Sequence, residues 1–130
     1  MADTQKRPLS PHLQIYRLPL PALLSITHRM TGMALSVGLF VLAAWLYAAA
    51  FSPKCFAKFH ELFNTGLGRF ALFGWMLAFF YHFCAGIRHL VWDTGTGLSK
   101  SAYRISNWIV IFSALLLTAG AWLYARGGLQ

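Results

Sequence analysis

The chain has 130 residues, of which 58% are hydrophobic and only 11% are charged. A soluble domain carries about a quarter charged residues, so the shortfall points to one membrane-embedded domain rather than to a larger water-soluble core. The net charge of +8 sits in flanks and loops and leaves the apolar runs bare; that placement suits anionic headgroups, and with no basic stripe on a folded face it argues against nucleic acid as a partner.

The first twenty residues read as an N-terminal interfacial segment. Residues 1–8 are polar and contain a proline, with no short apolar stretch before a cleavage site. No signal peptide is expected, and the first span then acts as its own insertion signal. Leu18-Pro19-Leu20-Pro21 is extended, because a residue before proline avoids the helical region. Pro21 suits the first position of a helix.

Three apolar runs follow. Residues 33–51 carry neither charge nor histidine, residues 70–87 carry only His82, and residues 105–125 carry no charge. Each has the length a helix needs to cross about 30 Å of hydrocarbon. Only helices and closed barrels satisfy every backbone group inside a bilayer, and continuous rather than alternating apolar runs favour helices. The prediction is an all-α membrane protein with three transmembrane helices, spans at about 22–51, 68–92 and 104–125, in one domain covering 21–126. The segment between the first two spans, which holds Cys55 and His60, is read as a loop. No internal repeat is present.

Basic residues set the orientation. Lys6, Arg7, Arg17, Arg29, Arg88, Lys100 and Arg104 fall on one side, whereas Lys54, Lys58, Arg69 and Arg126 fall on the other. The richer side is inside, so the N-terminus is expected inside and the C-terminus outside. Trp45, Tyr47, Trp92, Trp108, Trp122 and Tyr124 lie near span ends, as an aromatic belt does. Cys55 and Cys84 have no CxxC spacing. Cys84 stands about 21 Å along the second span from Phe70, so neither a disulfide nor a zinc site is indicated.

The second span carries the chemistry. His82 and His89 are two helical turns apart and share a face with Gly86 between them. An ionisable ring inside a membrane marks a functional site by default, and a glycine beside it lets a flat macrocycle approach. A neutral imidazole ligates haem iron; the alternative for His82 is a hydrogen bond to a neighbouring helix. A membrane b-type haem takes two axial histidines. His12 precedes the spans and His60 lies on the opposite side, while His28 and His89 are placed about 10 Å shallower than His82 by helical rise. The second ligand is therefore expected from another polypeptide. His28, Arg29 and His89 are better placed for the haem propionates, as charge-assisted partners of carboxylates.

Ser25, Arg29 and Gly32 form an i, i+4, i+7 stripe that offers a hydroxyl, a guanidinium and a gap. Such a pair donates to the carbonyls of a quinone. The alternative is that Ser25 bonds its own backbone and Arg29 snorkels to headgroups. His89 and Asp93 are also i, i+4, which allows the carboxylate to orient the ring; equally, Arg88 and Asp93 read as interface charges.

Three blocks carry a resemblance: Arg7-Pro8-Leu9-Ser10-Pro11-His12-Leu13-Gln14-Ile15-Tyr16; Ser25-Ile26-Thr27-His28-Arg29-Met30-Thr31-Gly32; and His82-x-x-x-Gly86-Ile87-Arg88-His89-Leu90-x-Trp92-Asp93. In order and type they resemble the cytochrome b556 subunits of succinate dehydrogenase, the larger membrane anchor of respiratory complex II. The resemblance implies a bundle formed with a second small membrane anchor, docking of an iron–sulfur subunit that is joined to a flavoprotein, and one haem b shared between the two anchors. It implies His82 as an axial ligand of the haem iron. It implies Ser25 and Arg29, with Ile26 as a wall, as contacts of the substrate ubiquinone, and His28, Arg29 and His89 as propionate or supporting groups. The chain alone is not expected to be an enzyme. Its place is the bacterial inner membrane, or the mitochondrial one if the source is eukaryotic. Two alternatives remain open: the anchor of a quinol:fumarate reductase, and a small non-redox transporter that uses His82 and Asp93 as a proton path.

Overall fold

A computed structural model describes residues 17–127. The first resemblance block (residues 7–16), His12 and most of the interfacial segment lie outside the described residues. So do Lys6 and Arg7 of the orientation count. Within the described residues the chain is four helices: α1 (Leu20–Phe51), α2 (Pro53–Asn64), α3 (Gly66–Asp93) and α4 (Lys100–Gly127). Of these, α1, α3 and α4 are long and apolar enough to cross a membrane. The all-α architecture with three spans agrees with the sequence reading.

Local chemistry sets the helix ends. Pro19 is extended at φ −66° and ψ 150°, and its carbonyl receives the N–H groups of Ala22 and Leu23 at 2.9 and 3.3 Å. Pro21 lacks the N–H that the first turn would leave unpaired anyway. At the far end Ser52 leaves the helical region with φ −149°, and its hydroxyl accepts the N–H of Cys55 at 3.4 Å to start α2. Thr65 does the same for α3, accepting the N–H of Gly68 at 3.0 Å. Gly95 and Gly97, at φ 76° and 73°, supply the left-handed backbone of the turn into α4.

The stretch read as a loop is a helix. In α2, Phe56, Phe59 and Phe63 are half-buried along one side, while Lys54, Lys58, His60 and Glu61 are exposed. The i, i+3, i+7 phenylalanine spacing carries this signal. It was missed because, at twelve residues, the segment is too short to register as a span. Phe56 packs on Trp45 of α1 with ring centroids 5.7 Å apart, which folds α2 back against the bundle. Cys55 on α2 and Cys84 on α3 are both free thiols.

The third helix is the hub, packing against both α1 and α4. Close approach comes from small side chains, as is usual between membrane helices. Ala85, Ala114, Val110 and Thr118 are buried between α3 and α4, and Phe73 meets Trp122 edge-on at 5.3 Å. Between α1 and α3, the indole of Trp75 occupies the space where a Cβ on Gly38 would stand. Antiparallel packing of α1 on α3 places the first third of one beside the second half of the other, and the functional residues meet there.

Candidate functional site

Two side chains of α3 reach the backbone of α1. The Tyr81 hydroxyl donates to the Leu24 carbonyl at 2.8 Å and lies 2.7 Å from the Thr27 hydroxyl. One residue on, His82 Nδ1 is 3.1 Å from the His28 carbonyl oxygen and 3.3 Å from Thr31 Oγ1. A carbonyl only accepts, so Nδ1 carries the hydrogen and donates. In the neutral ring Nε2 then keeps its lone pair. A metal-binding histidine needs that tautomer, commonly fixed by such a backbone bond.

The His82 ring rests on Gly32 of α1: its Cε1 lies 2.9 Å from where a Cβ on that glycine would stand. Gly32 is thus the floor beneath an imidazole, not the gap for a ligand head that the Ser25–Arg29–Gly32 stripe predicts. Gly86, one turn beyond His82, has nothing within 4 Å of a Cβ built on it. The open space expected beside the histidine is present at Gly86.

The expected depth of His28 is wrong. Its ring stacks on His82, with centroids 4.1 Å apart and planes 22° from parallel. Counting helical rise gives depth from each helix's own end, and it does not say how the two ends stand relative to one another. His28 also lies 5.1 Å from the His89 ring, which meets Trp92 edge-on at 5.3 Å. Three imidazoles and an indole therefore stand in series between α1 and α3. His28 Nε2 is buried without a hydrogen-bond partner. A buried polar nitrogen costs free energy when unpaired, so this atom marks a place for a polar partner.

Arg88 departs from its reading as an interface charge. It is 7% exposed, donates to Asn107 Oδ1 at 2.8 Å, and lies over the Trp92 ring at 4.7 Å. Arg88 sits five residues inside the end of α3, about 7.5 Å by helical rise, and its long stem turns sideways into the α3–α4 contact. Asp93 is exposed, and the ring contacts of His89 are with His28 and Trp92 rather than with that carboxylate. In the sequence Asn107 is simply a polar residue near the start of the third apolar run. Asn107→Leu is expected to destabilise the protein by about 1.5–3 kcal/mol, the cost of losing a bond to a buried charge. Thermal melting in detergent measures it, and an unchanged midpoint would show that Arg88 finds another acceptor.

Of the other predicted residues, Ser25 is half-buried and Ile26 and Arg29 are exposed, all on the first turns of α1. Ser25 and Arg29 stand one turn apart, next to the histidine series. Among the described residues, the side-chain hydrogen bonds of this stretch of α1 are made by Thr27 and Thr31. His60 lies on α2, against Phe56 at 4.7 Å, and has no part in the cluster.

These features define a class: a small polytopic helical membrane protein whose first and third helices hold a histidine cluster within the spanning region. A family model described as the succinate dehydrogenase/fumarate reductase transmembrane subunit matches residues 3–121. The chain belongs to that family, as the three motif blocks indicated. It is 42% identical over 118 residues to the succinate dehydrogenase cytochrome b556 subunit of Rickettsia felis, covering 91% of this chain and 92% of that one. It is 45% identical over 119 residues to the protein of the same name from Paracoccus denitrificans, covering 89% and 92%. The mitochondrial cytochrome b560 subunit of Sus scrofa is 40% identical over 116 residues, covering 88% of this chain and 69% of that one.

Proposed function

We propose that this chain is the haem b-bearing membrane anchor of a succinate:ubiquinone oxidoreductase, with His82 as one axial ligand of the haem iron. The observation that carries this is the bond from His82 Nδ1 to the His28 carbonyl, which presents Nε2 as a ligand. Two further features fit a haem: the open space at Gly86 and the unpaired, buried His28 Nε2, which a propionate oxygen would satisfy. His89 is the other propionate candidate, and Arg29 adds a charged donor near the same surface.

A second ligand is needed. His28, the histidine nearest to His82, is stacked on its ring, which suits it to hold a propionate rather than to ligate the iron. The reading that a second small anchor would supply the other ligand draws support from this stacking and from the place of His60 on α2, outside the cluster, and no longer from the depth of His28. When bound, the haem supplies one-electron redox chemistry.

Succinate oxidation would take place on a flavoprotein subunit. An iron–sulfur subunit would deliver electrons to ubiquinone beside Ser25, Ile26 and Arg29. Ubiquinone takes two electrons and two protons. The hydroxyl of Ser25 and the guanidinium of Arg29 donate to its carbonyls, while Ile26 bounds its ring. Arg29 stabilises negative charge as it develops on the quinone oxygen, as preorganised charge does in other sites. The N-terminal ends of α1 and the C-terminal end of α3 share one membrane face. The basic-residue count supports placing that face on the cytoplasmic side in a bacterium.

Gly86→Leu tests the haem reading. The chain itself has room for a side chain at Gly86, so assembly into the complex is expected to persist. Haem content, measured as pyridine haemochrome per complex, is expected to fall at least about tenfold, because a leucine there occupies the macrocycle's approach. Full haem occupancy in that variant would place the cofactor elsewhere.

A further inference from the structure

The buried Arg88 has a second side. Between α3 and α4, on the flank away from the histidine series, lies a cavity of about 290 Å³. It is lined by Cys84, Arg88 and Trp92 of α3, by Gly97 of the turn, and by Ser113 and the exposed Ile109 of α4. From Ala102 to Ser113 it follows α4 for about 16 Å by helical rise. The lining surface is almost wholly apolar; Ser106 and Ser113 are polar residues in it besides Arg88, the one charged residue among those lining it.

No carboxylate answers that charge among the described residues. The partners of Arg88 are a neutral amide, Asn107, and the face of Trp92, and its Nε is buried without a partner. A cation in the low dielectric of a membrane protein calls for a counter-charge. Basic pockets between membrane helices near the surface take anionic lipid headgroups, and arginine pairs with phosphate through two parallel bonds. The depth agrees: Arg88 is about 7.5 Å inside the end of α3, and Trp92 and Tyr103, 5.9 Å apart, form an aromatic pair at headgroup level.

We propose that the α3–α4 cavity binds an anionic phospholipid, with one acyl chain along the apolar walls and the phosphate at the Arg88 guanidinium. Inorganic phosphate shares the head chemistry, but it gains nothing from the walls.

The test uses the whole complex, purified through a tag on this chain and stripped of lipid in a neutral detergent. Thermal melting is followed after adding phosphatidylglycerol, phosphatidylcholine with the same chains, or inorganic phosphate. Phosphatidylglycerol is expected to raise the midpoint by several degrees more than phosphatidylcholine, and phosphate alone to do nothing. That difference is expected to vanish in Arg88→Met. It should vanish equally in Ile109→Trp, which fills the cavity from an exposed lining position and keeps the charge. If Arg88→Met does not assemble, Ile109→Trp decides. Equal midpoints with the two lipids would overturn the proposal. So would a difference that survives Ile109→Trp, or an equal rise with inorganic phosphate.

Discussion

His82→Leu is expected to abolish the b-type haem band of the assembled complex. The substitution preserves volume in the contact with Gly32, yet it removes both the Nδ1 bond to the His28 carbonyl and the Nε2 lone pair. Loss of the α1–α3 rung costs about 0.5–1.5 kcal/mol. The neighbouring Tyr81–Leu24 rung remains, so the helices still pair. Iron is expected to lose its ligand outright, and the reduced-minus-oxidised spectrum should go flat or shift to that of a five-coordinate haem. His28→Leu makes the complementary case. It leaves the backbone carbonyl that holds His82 and removes only the stacked ring and its unpaired nitrogen, so the band is expected to persist. An unchanged spectrum at full occupancy in His82→Leu would assign the iron to another residue.

The second large effect is expected at Arg29. Arg29 is exposed on α1, so Arg29→Ala should assemble normally. Removing a charged donor from a substrate carbonyl is worth about 1.5–3 kcal/mol, or roughly tenfold to more than a hundredfold in rate. Succinate–ubiquinone turnover is expected to fall by that factor, while succinate oxidation with a soluble dye, which bypasses the quinone, stays at the parental rate. Arg29→Lys keeps the charge without the planar fork and should fall between the two. An equal loss with dye and quinone would mean that Arg29 supports assembly, and normal quinone turnover would remove it from the site.

The spans were legible because continuous apolar length is imposed by bilayer thickness and needs no tertiary information. His82 was legible for the same reason: a ring that deep in an apolar run has few roles. What the sequence withheld was relative placement. The stacking of His28 on His82 depends on how α1 slides along α3. That register is set by Tyr81, Thr27 and Thr31, residues that look ordinary on a helix. Arg88 was misread because an arginine near a helix end has two outcomes, snorkelling to water or turning inward, and only the location of Asn107 on a neighbouring helix decides between them. The helix α2 shows a different failure. Its phenylalanine spacing was visible, but spanning length passes over a short amphipathic segment.

The central claim is that this chain holds a haem within an enzyme that oxidises succinate. The most direct measurement is the dithionite-reduced minus oxidised difference spectrum of the material recovered through a tag on this chain from mild-detergent membranes. A b-type band, near one haem per chain, in material that also carries bound flavin and oxidises succinate, is the expected result. Recovery of the intact chain with no b-type band, or with a band but no flavoprotein, would contradict the account.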